Sequence, residues 1–255
     1  MVKELYPEFE KPSIAIDTVF LRTANISSHD NRKEDTYKLQ ILCAKDREDE
    51  GNWVLPGGIL RIGEVANDVF LRKFRVINDK KEEVNIENIH MEQLYTIVNN
   101  PYRDQRGHVI AIVYIGIIRS GFDIIPANSN RYQFEWFDFN ETFLSFTTTN
   151  AECKKIQLSD KDSAVRSLKY DHADIVIDSV KRIRNKLMYT DTGFYFAPEK
   201  FTINQAEEIF TAINGKKIKN FRGNIIDKIT DTKEYEQNSL DKKAAHRPAK
   251  LFMKM

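Results

Sequence analysis

The chain has 255 residues, 41% of them hydrophobic and 30% charged, with a formal net charge of +1. That is enough apolar material to build a sizeable core in one large domain or two unequal ones. No apolar run approaches the roughly 18 residues a membrane span needs. The start, MVKELYPEFEKP, is too polar for a signal peptide, so no membrane partner is expected. Cys43 and Cys153 are isolated, which argues against a disulfide framework or a CxxC metal site and fits a reducing cytoplasm.

The near-neutral total hides an asymmetry. Residues 209–255 hold 11 Lys+Arg against 5 Asp+Glu, leaving 28 basic and 33 acidic residues for the remainder. An acidic body with a basic tail suggests an acidic partner for the C-terminal part. A solvated basic face is the plain alternative.

In chain order, residues 13–23 and 35–44 are rich in β-branched and apolar residues and predict two strands, joined across the polar segment Ser27-Ser28-His29-Asp30-Asn31. After GNWVLPGG, a helix is expected from Glu64 to Asn78, because Val65, Val69, Phe70, Phe74 and Ile77 recur at helical spacing. Further strands are expected at 91–100, at 108–119 and, as the last, at 132–139. VIAIVYIGII is apolar on both faces and predicts a central, doubly covered strand. Residues 171–186 carry Ala173, Ile175, Ile177, Val180 and Ile183 on a helical stripe.

The pattern changes after Tyr189–Pro198, which is expected as a linker over 191–199 between a body at 1–190 and a unit at 200–255. Phe201-Thr202 leads into INQAEEIFTAING, with Ile203, Ile209, Phe210 and Ile213 inward and Gly215 as the stop. A basic turn, Lys216-Lys217-Ile218-Lys219, precedes a second helix, NFRGNIIDKI, whose Phe221, Ile225, Ile226 and Ile229 face inward. A hairpin bending near Asp241–Pro248 ends in AKLFMKM. Helix, tight turn, helix and hairpin outline a winged helix-turn-helix.

Gly58, Glu64 and Arg72 stand at the spacing of the Nudix box, G-x5-E-x7-R-E-U-x-E-E-x-G-U with U aliphatic, after the strand-like Trp53–Gly58. Over about residues 12–190 the chain resembles a Nudix αβα sandwich with a mixed sheet, so the expected class is α+β with a small winged helix following. The box is degenerate. The family's paired metal-binding glutamates fall on Val76 and Ile77, and the acid after the arginine is Lys73. Mg2+ needs oxygen ligands, and these side chains offer none. No catalytic residue, metal site or required cofactor is therefore expected. Mg2+ enters only if the chain is, after all, a MutT-like pyrophosphohydrolase.

Resemblance to ADP-ribose-type Nudix domains implies that the turn NNPYRDQRGHV faces the ligand cleft. Arg61, Arg103, Asp104, Arg106 and His108 are the ligand-binding candidates, since planar guanidinium forks suit a diphosphate. A charged turn in water is the default for such a loop. His29, His90 and His172 show no ligand spacing and receive no role.

Both halves together resemble the Nudix-related transcriptional regulators. The match is close at Leu168–Ala173, Phe201-Thr202, Asn220–Arg222 and His246–Phe252, with His246 where the family usually has glycine. The resemblance implies a cytoplasmic, homodimeric repressor that binds an operator in double-stranded DNA. Its effector would be a small phosphorylated molecule: ADP-ribose, an NAD-related nucleotide or a sugar phosphate. The DNA-binding candidates are Lys217, Lys219, Asn220, Arg222, Asn224, Arg247 and Lys250. A nucleoside diphosphate hydrolase and a protein-interaction module remain the alternatives. Loss of the metal-binding acids weighs against the first, and the winged-helix pattern against the second.

Overall fold

The computed structural model describes residues 11–26, 36–48, 52–147, 153–158, 168–227, 232–235 and 251–254. The apolar, β-branched stretch at its start forms a 13-residue strand, β1 (Ser13–Asn25). Because side chains alternate across a strand, Ile16 and Phe20 enter one apolar cluster while Val19 and Leu21 enter another on the opposite face.

β1 pairs antiparallel with β2 (Tyr37–Asp46) and, at its beginning, with the short β3 (Gly57–Ile59). Gly57 allows that approach, since a Cβ there would lie 2.3 Å from the Ile16 carbonyl oxygen. On its other side β1 runs parallel to β7 (Val109–Ile118), in register from Ser13 with Val109 to Arg22 with Ile118. β7 is VIAIVYIGII. It is an interior strand with β6 (His90–Ile97) on its far side, although β6 then forms the sheet edge.

Beyond β2 the sheet continues through β9 (Tyr132–Phe139), β10 (Phe143–Thr147) and β11 (Cys153–Gln157). The expectation that 132–139 is the last strand is therefore corrected. Phe143–Thr147 folds back on β9, pairing Leu144 with Phe139, and Cys153–Gln157 pairs with it in turn.

The expected helix from Glu64 to Asn78 is also corrected. α1 covers only Ala66–Lys73, and the chain turns at once into a strand, β4 (Phe74–Asn78). Between β5 (Glu83–Val84) and β8 (Phe122–Pro126), β4 centres a small second sheet. Phe74 and Val76 fit either period, 3.6 or 2, and the β-branched pair Val76-Ile77 favours the strand. Packing settles the choice: Phe74 meets the Phe20 ring edge-on at 4.8 Å, and Val76 joins the same buried cluster.

α1 and the small sheet cover one face of the large sheet, and α2 (His172–Lys186) covers the other through Ile175, Val176, Val180 and Ile183. This is an αβα layering around a mixed sheet. No helix among the described residues is long and apolar enough to cross a membrane.

The stretch expected as a linker is packed. Thr192–Phe196 forms a 3-10 turn with Phe194 and Phe196 buried, and Gly193 lies so close to the Phe210 ring that a Cβ would meet it at 2.3 Å. From there the chain enters β12 (Lys200–Phe201) and α3 (Ile203–Asn214). Thr202 and Gln205 cap the start of α3 reciprocally, and Gly215, at φ 76°, ends it in the left-handed conformation. The second helix is described as seven residues, 221–227, wound widely enough that the Asp227 N–H donates to the Arg222 carbonyl.

β14 (Leu251–Lys254) lies between β12 and β13 (Thr232–Tyr235) in a three-stranded sheet. Phe201, Phe210, Phe221, Ile225 and Phe252 form the core of this unit. They continue the apolar cluster of the large sheet without a break.

Candidate functional site

A cleft of about 430 Å³ opens over the start of β1, walled by residues 52–59, the turn at 103–106, the start of β9 and the segment before α2. At its floor is a buried charge network. Arg103, with its side chain 3% exposed, donates to Asp171 at 2.8 and 2.5 Å and to Asp17 at 3.0 Å. The ring of His172 accepts the Leu55 N–H at Nδ1 (2.9 Å), which puts its proton on Nε2, 3.7 Å from Asp17.

Burial pushes the Asp17 carboxyl up, but His172 and Arg103 together outweigh it and hold the group below the usual carboxylate range. Arg103 was expected to offer its fork to a ligand. It is instead turned inward and committed to two carboxylates, because a guanidinium withdrawn from water needs such partners.

Arg106 does face outward, its side chain 69% exposed, gripping Asp104 at 2.6 and 3.0 Å. Its guanidinium carbon lies 5.4 Å from the centre of the Tyr170 ring. Tyr170 sits at φ 59°, a left-handed conformation that costs a side chain on the order of 1 kcal/mol and that here accompanies a ring on the cleft wall. His108 is exposed in an adjoining depression, where its carbonyl accepts the Ser13 N–H at 3.0 Å.

The three box residues that match in sequence have separate jobs. Arg72 grips Glu64 through both carboxylate oxygens at 2.9 and 2.8 Å and also donates to the Ile59 carbonyl. Arg61, exposed and outside the cleft lining, gives Glu64 its backbone N–H. Hydrogen bonding from Arg72 holds the Glu64 carboxyl below its ordinary range. Together they pin the turn before α1 to the helix. Gly58 lies under the side chain of Lys73, where a Cβ would come within 2.6 Å of Cε.

The family's Mg2+ does not fit these residues. Glu64 is occupied by Arg72, Val76 and Ile77 are buried on a strand, and Lys73 extends an ammonium into the cleft. A divalent cation would meet like charge there and too few oxygens. Beside Lys73 the cleft also holds Arg131, paired with Asp46 at 3.1 Å, and Tyr132.

Sequence reasoning missed Asp17, Asp171 and His172 as the floor, and Lys73, Arg131, Tyr132 and Tyr170 as walls. One signal was available, the close family match at Leu168–Ala173, which contains three of these seven residues.

Of the DNA-binding candidates, Lys217, Lys219 and Asn220 lie on the turn between α3 and the second helix, and Arg222 and Asn224 in that helix. Lys219, Asn220 and Arg222 are exposed, and Asn220, at φ 46°, turns the chain into the helix. Lys217 is exposed and lies 3.5 Å from Glu207. Asn224 is less available than expected, since its amide donates to the Lys219 carbonyl at 2.7 Å. Arg247 and Lys250 lie outside the described residues.

The family of NrtR DNA-binding winged helix domains matches residues 193–253. The ADPR responsive transcriptional repressor NtrR of Acinetobacter baylyi is 25% identical over 222 residues, 86% of this chain and 76% of the repressor. A MutT/nudix family protein from Enterococcus faecalis superposes with a TM-score of 0.69 at 22% identity, covering 99% of this chain and 90% of the other. Shewanella oneidensis NrtR, complexed with a 27mer DNA, superposes with a TM-score of 0.54 at 20% identity, over 95% and 93% of the two chains. Both superpositions report fold.

Proposed function

We propose, for a chain that joins a Nudix fold to an NrtR-type winged helix and so ranks among the Nudix-related regulators, that it is a DNA-binding transcriptional repressor. Its Nudix cleft senses ADP-ribose, the ligand class in the name of the Acinetobacter relative, without hydrolysing it. The observation that carries this reading is the winged-helix match at residues 193–253, on a chain that puts the Lys73 ammonium in the cleft and buries Val76 and Ile77 on β4, where the Nudix box has its metal-binding acids.

Residues 1–190 would form the sensing part and 200–255 the DNA-binding part, working as a cytoplasmic homodimer on paired half-sites. Lys217 and Lys219 would take phosphates, and Asn220 and Arg222 would reach base edges, with Arg247 and Lys250 on the wing. On the effector side, Arg106, Asp104 and His108 remain candidates, joined by Lys73, Arg131 and Tyr170.

A physical route between the two sites supports the reading. α2 begins at Asp171 and His172 in the cleft floor. Near its other end, Arg184 donates to the Ile213 carbonyl in the last turn of α3 at 2.8 Å and pairs with Glu141. A ligand that shifts the cleft floor would move α2 against the DNA-contacting unit.

The test is fluorescence anisotropy of the full chain on a fragment from its own upstream region, at two salt concentrations, with and without ADP-ribose. The expected result is a steep salt dependence and an affinity that ADP-ribose changes by the same factor by which DNA changes ADP-ribose binding. Salt-insensitive binding, or a ligand that binds without altering DNA affinity, sinks the ligand-controlled repressor.

A further inference from the structure

We infer that Lys73 supplies, as a built-in ammonium, the positive charge against which a diphosphate ester is held in the cleft, so that binding needs no divalent cation. This rests on the effector reading above and specifies its chemistry.

The placement of Lys73 is imposed from two sides. It is the last residue of α1, whose Val69 and Phe70 are buried, so the origin of the side chain is fixed by packing. Its stem then crosses Gly58, where the missing side chain leaves the lane open. At the end of that lane Nζ donates to the Tyr132 hydroxyl at 3.3 Å and lies 5.0 Å from the centre of the Tyr132 ring. The ammonium therefore arrives at one spot on the cleft wall instead of roaming through solvent.

Its charge is also left without a counter-ion among the described residues, unlike that of the three guanidiniums around it. Arg103 is committed to Asp17 and Asp171, Arg106 to Asp104, and Arg131 to Asp46. Among the described residues no carboxylate lies within ion-pair distance of Lys73, and Asp46 acts on it only through space. A hydroxyl and an aromatic face hold an ammonium in place without neutralising it. Lys73 is thus a cleft cation whose charge awaits an anion.

A compact ammonium with rotatable donors suits a phosphate as a point charge, and two guanidiniums in the same cleft can add planar contacts to a second phosphate. The cleft has the volume of a small-molecule site, with Tyr132 and Tyr170 on its walls as flat surfaces for the organic ends of such an ester.

The experiment is isothermal titration of the full chain with ADP-ribose and with inorganic pyrophosphate, each in EDTA and in Mg2+. The parent should bind ADP-ribose in EDTA at least as tightly as in Mg2+. Lys73→Met should lose about ten-fold or more, the scale of one charge-assisted contact, while Lys73→Arg keeps most of the affinity. Thermal melting of both variants guards against a folding defect.

Binding of ADP-ribose that requires Mg2+, or that survives intact in Lys73→Met, overturns this inference and leaves the effector reading standing. Pyrophosphate bound in EDTA through Lys73, with ADP-ribose ignored, keeps the subsite and removes ADP-ribose as effector. Failure of both probes overturns both.

Discussion

Arg103 and Arg106 lie in one short turn, each beside an aspartate, yet they belong to opposite regions of the molecule. Arg103 is in the cleft floor, withdrawn from water and satisfied by two carboxylates from β1 and the start of α2. Arg106 is on the rim, exposed and held by its neighbour Asp104. The inward region ties three parts of the chain together, and the outward charges, Arg106, Lys73 and Arg222, leave the fold free to form without them. Residue type does not separate these roles. Burial does, because desolvation makes an unpaired charge costly inside and nearly harmless outside.

Substitution at the floor should break the comparison most sharply if it is wrong. Arg103→Ala leaves Asp17 and Asp171 facing each other without their cation, so a loss of about 3–5 kcal/mol in denaturant unfolding is expected. Unchanged stability, with only ligand binding impaired, would return Arg103 to the ligand site.

Acid tests the same region. A carboxyl held below its unfolded pKa contributes stability above the ordinary aspartate value, near ~4, and that stability fades as pH falls through the lowered folded value. The midpoint of thermal unfolding should therefore fall below about pH 4. In Asp17→Asn that part of the acid dependence should be absent.

The outward charges should move binding and leave stability alone. Arg222→Ala is expected to cost about 1–3 kcal/mol of specific DNA affinity and to relax the preference at one base pair, measured by anisotropy on an operator and its single-base variants. Parent-like binding would mean that the start of the second helix does not read DNA.

The smallest effect is expected at Arg106. Its alanine variant should melt like the parent yet bind ADP-ribose about ten-fold more weakly by titration, as one charge-assisted contact is removed. A drop in melting temperature comparable to that of Arg103→Ala would erase the distinction between floor and rim.

Much of the molecule follows from its sequence alone. β1, β2, β6, β7, β9, α2 and α3 each have a pattern with one reading, either a β-branched run or a stripe at helical spacing. Thr202, Gln205 and Gly215 mark both ends of α3 by local chemistry, since a capping box and a left-handed stop need only neighbours in the chain. Resemblance to the Nudix box likewise placed Val76 and Ile77 where that pattern has metal-binding acids.

Tertiary structure decided what local signals leave open. Phe74–Ile77 suits a helix or a strand, and the ring of Phe20 and the neighbouring β8 chose the strand. Tyr189–Pro198 has the composition of a connector, but Phe194 and Phe196 found an apolar surface to cover. Arg103 and Arg106 look alike in sequence because nothing local distinguishes them. Asp17, 86 residues away, and Asp171, 68 away, make the difference, and only the folded chain brings them to Arg103.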